Sequence, residues 1–358
     1  MWPKTPLTEL LGIEVPIIQA PMAGVSTPAL AAAVSNAGGL GSLGLAFHTP
    51  EAFRDTMAET RRATNRPVNA NFFVHDPPQR DPAREERFMK LLDPYYEELG
   101  IAERPALAAP MAPFGDAMLE AVLDEGLAVV SFHYGLPKPA HLAAVKRSGA
   151  VVLSSATTVS EAKILAEQGA DAIVAQGFEA GGHRGTFAVA HEAAQVGTMA
   201  LVPQIVDAVD VPVIAAGGIA DGRGIAAALT LGAGGAQMGT AFISCPESAA
   251  RDAYRAALRH LRDDGTRLSP AVSGRPARWM LNRYVAEMAK HPDSIPDYPL
   301  PSSQTGPLTA ASIERGTGDV ANMLAGQAAA LNRELPAAEL VEVLIAETTA
   351  ALAARTAT

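Results

Sequence analysis

A short apolar run followed by an Ala/Leu/Glu-rich stretch recurs eight times in the first 245 residues, and this alternation narrows the possible folds most. The runs fall at 16–22, 39–44, 67–73, 128–133, 150–156, 172–176, 212–216 and 235–239. They are continuous rather than alternating, the pattern of parallel strands buried on both faces. The stretches between them carry helix signals. Ser26 opens 26–36 ahead of Gly38, Ser160 opens 160–168 ahead of Gly169, and Asp221 opens 221–231 ahead of Gly232. Eight strand–helix units with right-handed crossovers predict an α/β chain closed into a (β/α)8 barrel. A doubly wound open sheet is the alternative.

A plain barrel needs about 250 residues, and this chain has 358. Two stretches account for the surplus. Residues 74–110 form a charged insertion with a predicted helix at 82–99, placed after strand three and so over the catalytic face. Residues 246–317 leave the barrel rhythm, helical to about 262 and then Pro/Gly/Ser-rich. The predicted organisation is a barrel of 1–245 plus 318–358, with 246–317 as a smaller, mainly helical capping domain. An amphipathic helix at 336–354 returns as the eighth helix.

Composition excludes several functions. Apolar residues at 48% supply a large core. A net charge of −10 provides no footprint for phosphate backbones, so nucleic acid is not expected as a partner. Cys245 is the sole cysteine and cannot form an internal disulfide, which fits a reducing, cytoplasmic setting. No leader or membrane span of ~20 apolar residues is evident, and no residue set has metal-ligand spacing.

Barrel chemistry sits at the strand C-termini. After strands seven and eight, Gly217 and Gly218, then Gly239 and Thr240, expose backbone N–H groups beside helix starts. That suits a phosphate, although a tight turn explains each loop alone. Strand one ends in Gln19–Ala20–Pro21–Met22–Ala23–Gly24, small and stiff enough for a flat ring to lie against it. Strand three carries Asn69 and Asn71 on one face, amide partners for a ring edge or caps of the sheet end. Strand six gives Gln176 and then Gly181, Gly182, His183, Arg184 and Gly185. A histidine held between glycines on the active face is poorly explained by packing. It can act as a general base, or as a donor and cation toward an anion. His133 ends strand four at the same mouth. The other histidines, His75 and His141 among them, read as surface or loop groups.

The segments QAPMAG, SFHYG, AQGFEAGGHRG, IAAGGIADGRG and GAQMGTAF together resemble the nitronate monooxygenase family, formerly 2-nitropropane dioxygenases, in its bacterial class I group. The resemblance implies a TIM-barrel flavin domain holding non-covalent FMN. The cofactor positions it implies are Ala20, Pro21, Met22, Ala23, Gly24, Asn69, Gln176, Gly181, Gly182, Gly217, Gly218, Gln237, Met238, Gly239 and Thr240. It implies His183 as the active-site histidine with His133 as a second, Tyr254 and Tyr298 as pocket residues, and the segment 325–327 near the flavin. The implied reaction is oxidation of alkyl nitronates, typically propionate 3-nitronate, by O2 to carbonyl compounds plus nitrite or nitrate. It proceeds by one-electron transfer and a flavin semiquinone. A flavin-dependent NAD(P)H:quinone or enoyl-thioester reductase on the same barrel is the alternative.

Overall fold

The computed structural model describes residues 4–109 and 112–356. All eight expected strands form, as β1 (Ile17–Gln19), β2 (Gly41–Gly44), β3 (Val68–Phe73), β4 (Val129–His133), β5 (Val151–Ala156), β6 (Ala172–Gln176), β8 (Val213–Ala216) and β9 (Gly235–Met238). A two-residue strand, β7 (Gly182–His183), stands outside the barrel between β6 and β8. The barrel strands are parallel and ordered β1-β9-β8-β6-β5-β4-β3-β2. Closure comes from Leu40. Its N–H donates to Ile17 O and its carbonyl accepts from Gln19 N, each at 2.9 Å, joining β2 to β1.

Helices cover the barrel, and their starts follow hydroxyl and carboxylate caps. Asp221 caps Gly222–Thr230 as expected. The first helix is Pro28–Asn36, capped by Thr27 rather than Ser26. Ser26 Oγ is taken by Met22 N at 2.9 Å, which leaves the cap to its neighbour. Likewise Thr158, not Ser160, caps Val159–Gln168. The final helix, Ala337–Thr356, takes the eighth position. Its Leu340, Val341 and Leu344 pack with Leu30 and Val34 of Pro28–Asn36 and with Ile225 of Gly222–Thr230.

The region over the mouth adds a small sheet to its helices. It contains β10 (Thr266–Ser269) and β11 (Ala277–Met280), antiparallel to each other, and β7 pairs with β11 to complete a three-stranded sheet. The helices Asp252–Arg259, Arg283–Met288 and Ser302–Glu314 accompany it. The insertion forms its helix, Pro82–Glu98. Phe88, Leu92, Tyr95 and Tyr96 of that helix share one apolar core with Trp279, Tyr284 and Leu308. Insertion and cap are therefore one body. After Glu314 the chain still pairs with β11, where Met280 N donates to Met323 O at 2.8 Å. Among the described residues no helix is long and apolar enough to cross a membrane.

The last helix lies so close to the barrel that Gly222 has no room for a side chain. A Cβ there would sit 2.3 Å from Glu347 Cβ and 2.4 Å from Thr348 N. Gly222→Ala is expected to push the helix away and cost about 1–3 kcal/mol, the usual range for overpacking. A urea midpoint equal to that of the parent chain refutes this packing.

Candidate active site

The C-terminal ends of the barrel strands and the underside of the cap enclose a cavity of about 490 Å³, within the range of small-ligand sites. Of the expected cofactor positions, Ala20, Pro21, Met22 and Ala23 line it from the end of β1, and Gln237, Gly239 and Thr240 from the end of β9. Gln176, Gly181, Gly182, Gly217 and Gly218 complete that wall. His133, His183, Tyr254 and Tyr298 also line the cavity. Gly24, Asn69 and Met238 do not. Met238 packs in the core behind the strand end. Asn69 is buried one layer down, where Nδ2 donates to Ser42 Oγ at 3.1 Å and Oδ1 has no partner. Asn71 is the strand-three asparagine that reaches the cavity, braced by Ser131 Oγ at 2.8 Å.

His183 sits where barrel and cap are joined. Its strand β7 pairs in register with β11, His183 opposite Ala277 and Gly182 opposite Arg278. Its carbonyl accepts from Gln176 Nε2 at 2.9 Å and from His133 Nε2 at 3.3 Å. A carbonyl only accepts, so His133 carries its proton on Nε2 and receives Ser155 Oγ on Nδ1 at 3.1 Å. His183 Nε2 lies 2.8 Å from Ser273 Oγ. The same hydroxyl donates to Arg275 O at 3.2 Å, which places the His183 proton on Nε2 and leaves Nδ1 basic. Gln176 Oε1 accepts from Gly185 N at 2.7 Å, and one N–H of its Nε2 goes to the His183 carbonyl.

Both histidines are neutral at physiological pH. Burial is the main cause, and the nearby Arg275 charge adds to it. His133 falls to about 4, while His183, which also feels His133, falls to about 3. The expectation of a cationic His183 is thus corrected, because a charged imidazole is too poorly solvated there. Arg184 is also not a cation for the cavity. It is 1% exposed, and its guanidinium donates to the carbonyls of Gln176, Gly177 and Ala194. The positive charge comes instead from Arg275, stacked 3.9 Å from the centre of the Tyr134 ring.

Several cap residues were invisible to motif reading. Ser273, Trp279 and Arg275 belong to segments without a sequence signature, about ninety positions beyond His183. Trp279 meets the His183 ring edge-on at 6.0 Å and Tyr298 does so at 5.5 Å. His75 is not a surface group. It is buried against Tyr298 at 5.0 Å and lowered to about 4, chiefly by burial. His141 is buried too, paired with Asp116 at 2.7 Å on the barrel exterior. Tyr134 adopts φ 73°, a conformation seldom seen outside glycine, and stacks on His133 at 4.6 Å.

The residues present fit a phosphorylated flat cofactor. Gly217 (φ 107°) and Gly218 (φ 71°) form a turn that a side chain would strain. A Cβ on Gly239 would project toward Ala20 and Met22 with nothing nearer than 3.5 Å, so only glycine leaves that part of the cavity open. The N–H groups of Gly218 and Thr240 have no acceptor among the described hydrogen bonds. The segment expected near the cofactor is there: Gly326 lines the cavity, and its N–H donates to Thr240 Oγ at 3.0 Å.

Glycine turns after the last two barrel strands, an enclosed cavity and a half-buried histidine pair define a cofactor-dependent (β/α)8 oxidoreductase. Comparison with known proteins sharpens the class. The family described as nitronate monooxygenase matches residues 4–347. The chain is 49% identical to the nitronate monooxygenase of Pseudomonas aeruginosa, over 95% of this chain and 98% of that one. It is 47% identical to that of Paraburkholderia phytofirmans, over 95% and 94%. The crystal structure of a nitroalkane oxidase from Streptomyces ansochromogenes superposes with a TM-score of 0.89 at 40% identity, covering 97% of this chain and 99% of that one. FabK from Thermotoga maritima superposes with 0.78 at 28% identity, covering 99% of both. The chain belongs to the nitronate monooxygenase family.

Three neutral histidines, the buried His75 and the half-buried His133 and His183, link folding to pH. Unfolding restores their ordinary value of 6.5, so the unfolded chain binds more protons below that pH. Stability from these groups is therefore complete above about 6.5 and is lost as pH falls toward 4 and then 3. The denaturation midpoint is expected to drop steadily between pH 6.5 and 4. In a His75→Gln, His133→Gln double variant the drop is expected to be shallower, and an equally steep profile rules these groups out.

Proposed function

We propose that this chain is an FMN-dependent monooxygenase that oxidises alkyl nitronates with O2 to a carbonyl compound plus nitrite or nitrate. Family membership supports the reaction class. What supports the reading further is the low basicity that burial and the nearby Arg275 charge give the histidine pair. A base with a value near 3 is poorly matched to removing a carbon-bound proton at neutral pH. A nitronate has already lost that proton, so the site suits the anion rather than the neutral nitroalkane. The NAD(P)H-dependent reductase alternative is not favoured, because the relatives named for nitronate oxidation are the more similar, at 49% and 47% identity.

FMN supplies the redox chemistry when bound. Gly217, Gly218, Gly239 and Thr240 would hold its phosphate through backbone N–H groups, and Ala20–Ala23 would flank its ring. The protein's own groups do the rest. Ser273 and Arg275 O keep the proton of His183 on Nε2. His133 and Gln176 fix the His183 backbone. Arg275 provides the field that favours one negative charge beside the pair. Trp279 and Tyr298 of the cap line the cavity over the pair.

Two measurements test the assignment. His183→Asn removes the ring packed against Trp279 and Tyr298 beside the anion and is expected to lower turnover of nitronates severalfold, with the flavin still bound. Near-normal turnover removes His183 from the reaction. Gly239→Val has an ordinary φ of −103° and should fold. It is expected to lose most of its flavin on gel filtration, with the released flavin identified as FMN by mass. Full retention overturns the assignment of this turn.

A further inference from the structure

The cavity has two ends, and only one of them can receive an anion. Among the described lining residues there is no Lys, Arg, Asp or Glu. The arginines nearby spend themselves on backbone carbonyls. Arg184 serves Gly177 O, Arg278 serves Phe178 O at 2.7 Å, and Arg275 serves Thr186 O. Arg275 still acts at a distance on His183 and His133, so one negative charge beside the histidines is stabilised. At the barrel end the open N–H groups of Gly218 and Thr240 offer a second place for anionic oxygen, which the cofactor phosphate fills.

The cap end has neither resource. The first-turn N–H groups of Ser302–Glu314 are all taken: Ser302 N by Pro299 O, Ser303 N by Leu300 O, and Gln304 N and Thr305 N by Pro301 O. Thr305 Oγ donates to Val272 O at 3.0 Å. Trp279 Nε1 donates to Ser269 O at 3.0 Å, and Tyr254 OH donates to Leu324 O. The surfaces left facing the cavity are uncharged and mostly apolar, with Val272, Leu324 and Ile243 beside the polar Ser302 and Asn322, and Phe47 exposed at the edge. Gly306 opens this wall further, since a Cβ there would meet nothing within 4 Å. Pro307 disfavours a side chain at 306 in a helix, and the effect is the same open wall. A charge carried into such a place loses its water and finds no cation among the described lining residues, at a cost of several kcal/mol.

We infer that this site takes nitronates bearing a single negative charge and an uncharged, apolar chain, with the chain lodged under the cap against Ser302–Glu314. The inference deepens the function proposed above and rests on it. It departs from the propionate 3-nitronate expected by resemblance, whose distant carboxylate would lie against this apolar wall.

The test compares propionate 3-nitronate with 3-methylbutyl-1-nitronate, in which an isopropyl group replaces the carboxylate. The kcat/KM of the flavin-loaded protein is expected to favour the uncharged chain at least tenfold. It should also rise up to about fourfold per methylene from ethyl to pentyl nitronate, as burial of each CH2 predicts. Binding is read independently by titrating flavin absorbance with butyrate and succinate, which imitate the two anions without turnover, and butyrate should bind at least tenfold tighter. Gly306→Lys places a cation on the wall and is expected to shift the ratio toward the propionate compound by at least tenfold. Equal or reversed preference in turnover or binding overturns the inference and leaves nitronate oxidation standing. An unchanged ratio in Gly306→Lys also overturns it. If no nitronate is oxidised at all, the proposed function fails and the inference falls with it.

Discussion

Two residues of backbone hold this molecule's working parts together. Gly182 and His183 leave the barrel after β6 and pair with Ala277 and Arg278 of the cap sheet. The pairing is short, yet it sets the position of the histidine, the seat of the cap and the closure of the cavity. Arg184 extends it by donating from its N–H to Pro276 O at 2.9 Å. The guanidinium of the same residue ties the loop to Gln176, Gly177 and Ala194 from inside. That internal brace explains why an arginine is buried here at all. It satisfies carbonyls that a tight, glycine-rich loop cannot pair with itself.

The electrostatics follow from the same arrangement. The loop carrying Ser273 and Arg275 lies between β10 and β11, so the cap contributes both the partner of His183 and the nearest cation. Tyr134 stands between Arg275 and the histidines, held at φ 73° by the packing around it. Such strain persists only where neighbours enforce it, and it concentrates at functional sites. Together these features give a cavity that accepts one charge while keeping its imidazoles neutral.

Much of the fold was legible because parallel strands buried on both faces leave continuous apolar runs, and all eight were found within a few residues. Helix starts slipped by a residue where two candidates stood together. Ser26 and Thr27 are chemically alike, and only the hydrogen bond from Met22 N decides between them. The cap sheet was not legible: TRLS and ARWM are four-residue strands without a clear period, so the region read as helical. At the site, glycines and histidines declared themselves through turn chemistry, whereas Ser273, Arg275 and Trp279 arrive by tertiary folding alone. The burial of Arg184 was not legible for a related reason. A charge beside glycine suggests solvent until its carbonyl partners are known.

The barrel strands are complete by Met238, but the helix that closes the wall between Gly222–Thr230 and Pro28–Asn36 begins only at Ala337. During synthesis the whole cap must leave the ribosome before that helix exists. Until then Leu30, Val34 and Ile225 face water. A chain that stops anywhere in the cap therefore has every barrel strand and the glycine turns that follow them, yet exposes the apolar seam that the final helix covers. The final segment thus decides whether the nascent barrel is a finished enzyme or a substrate for quality control.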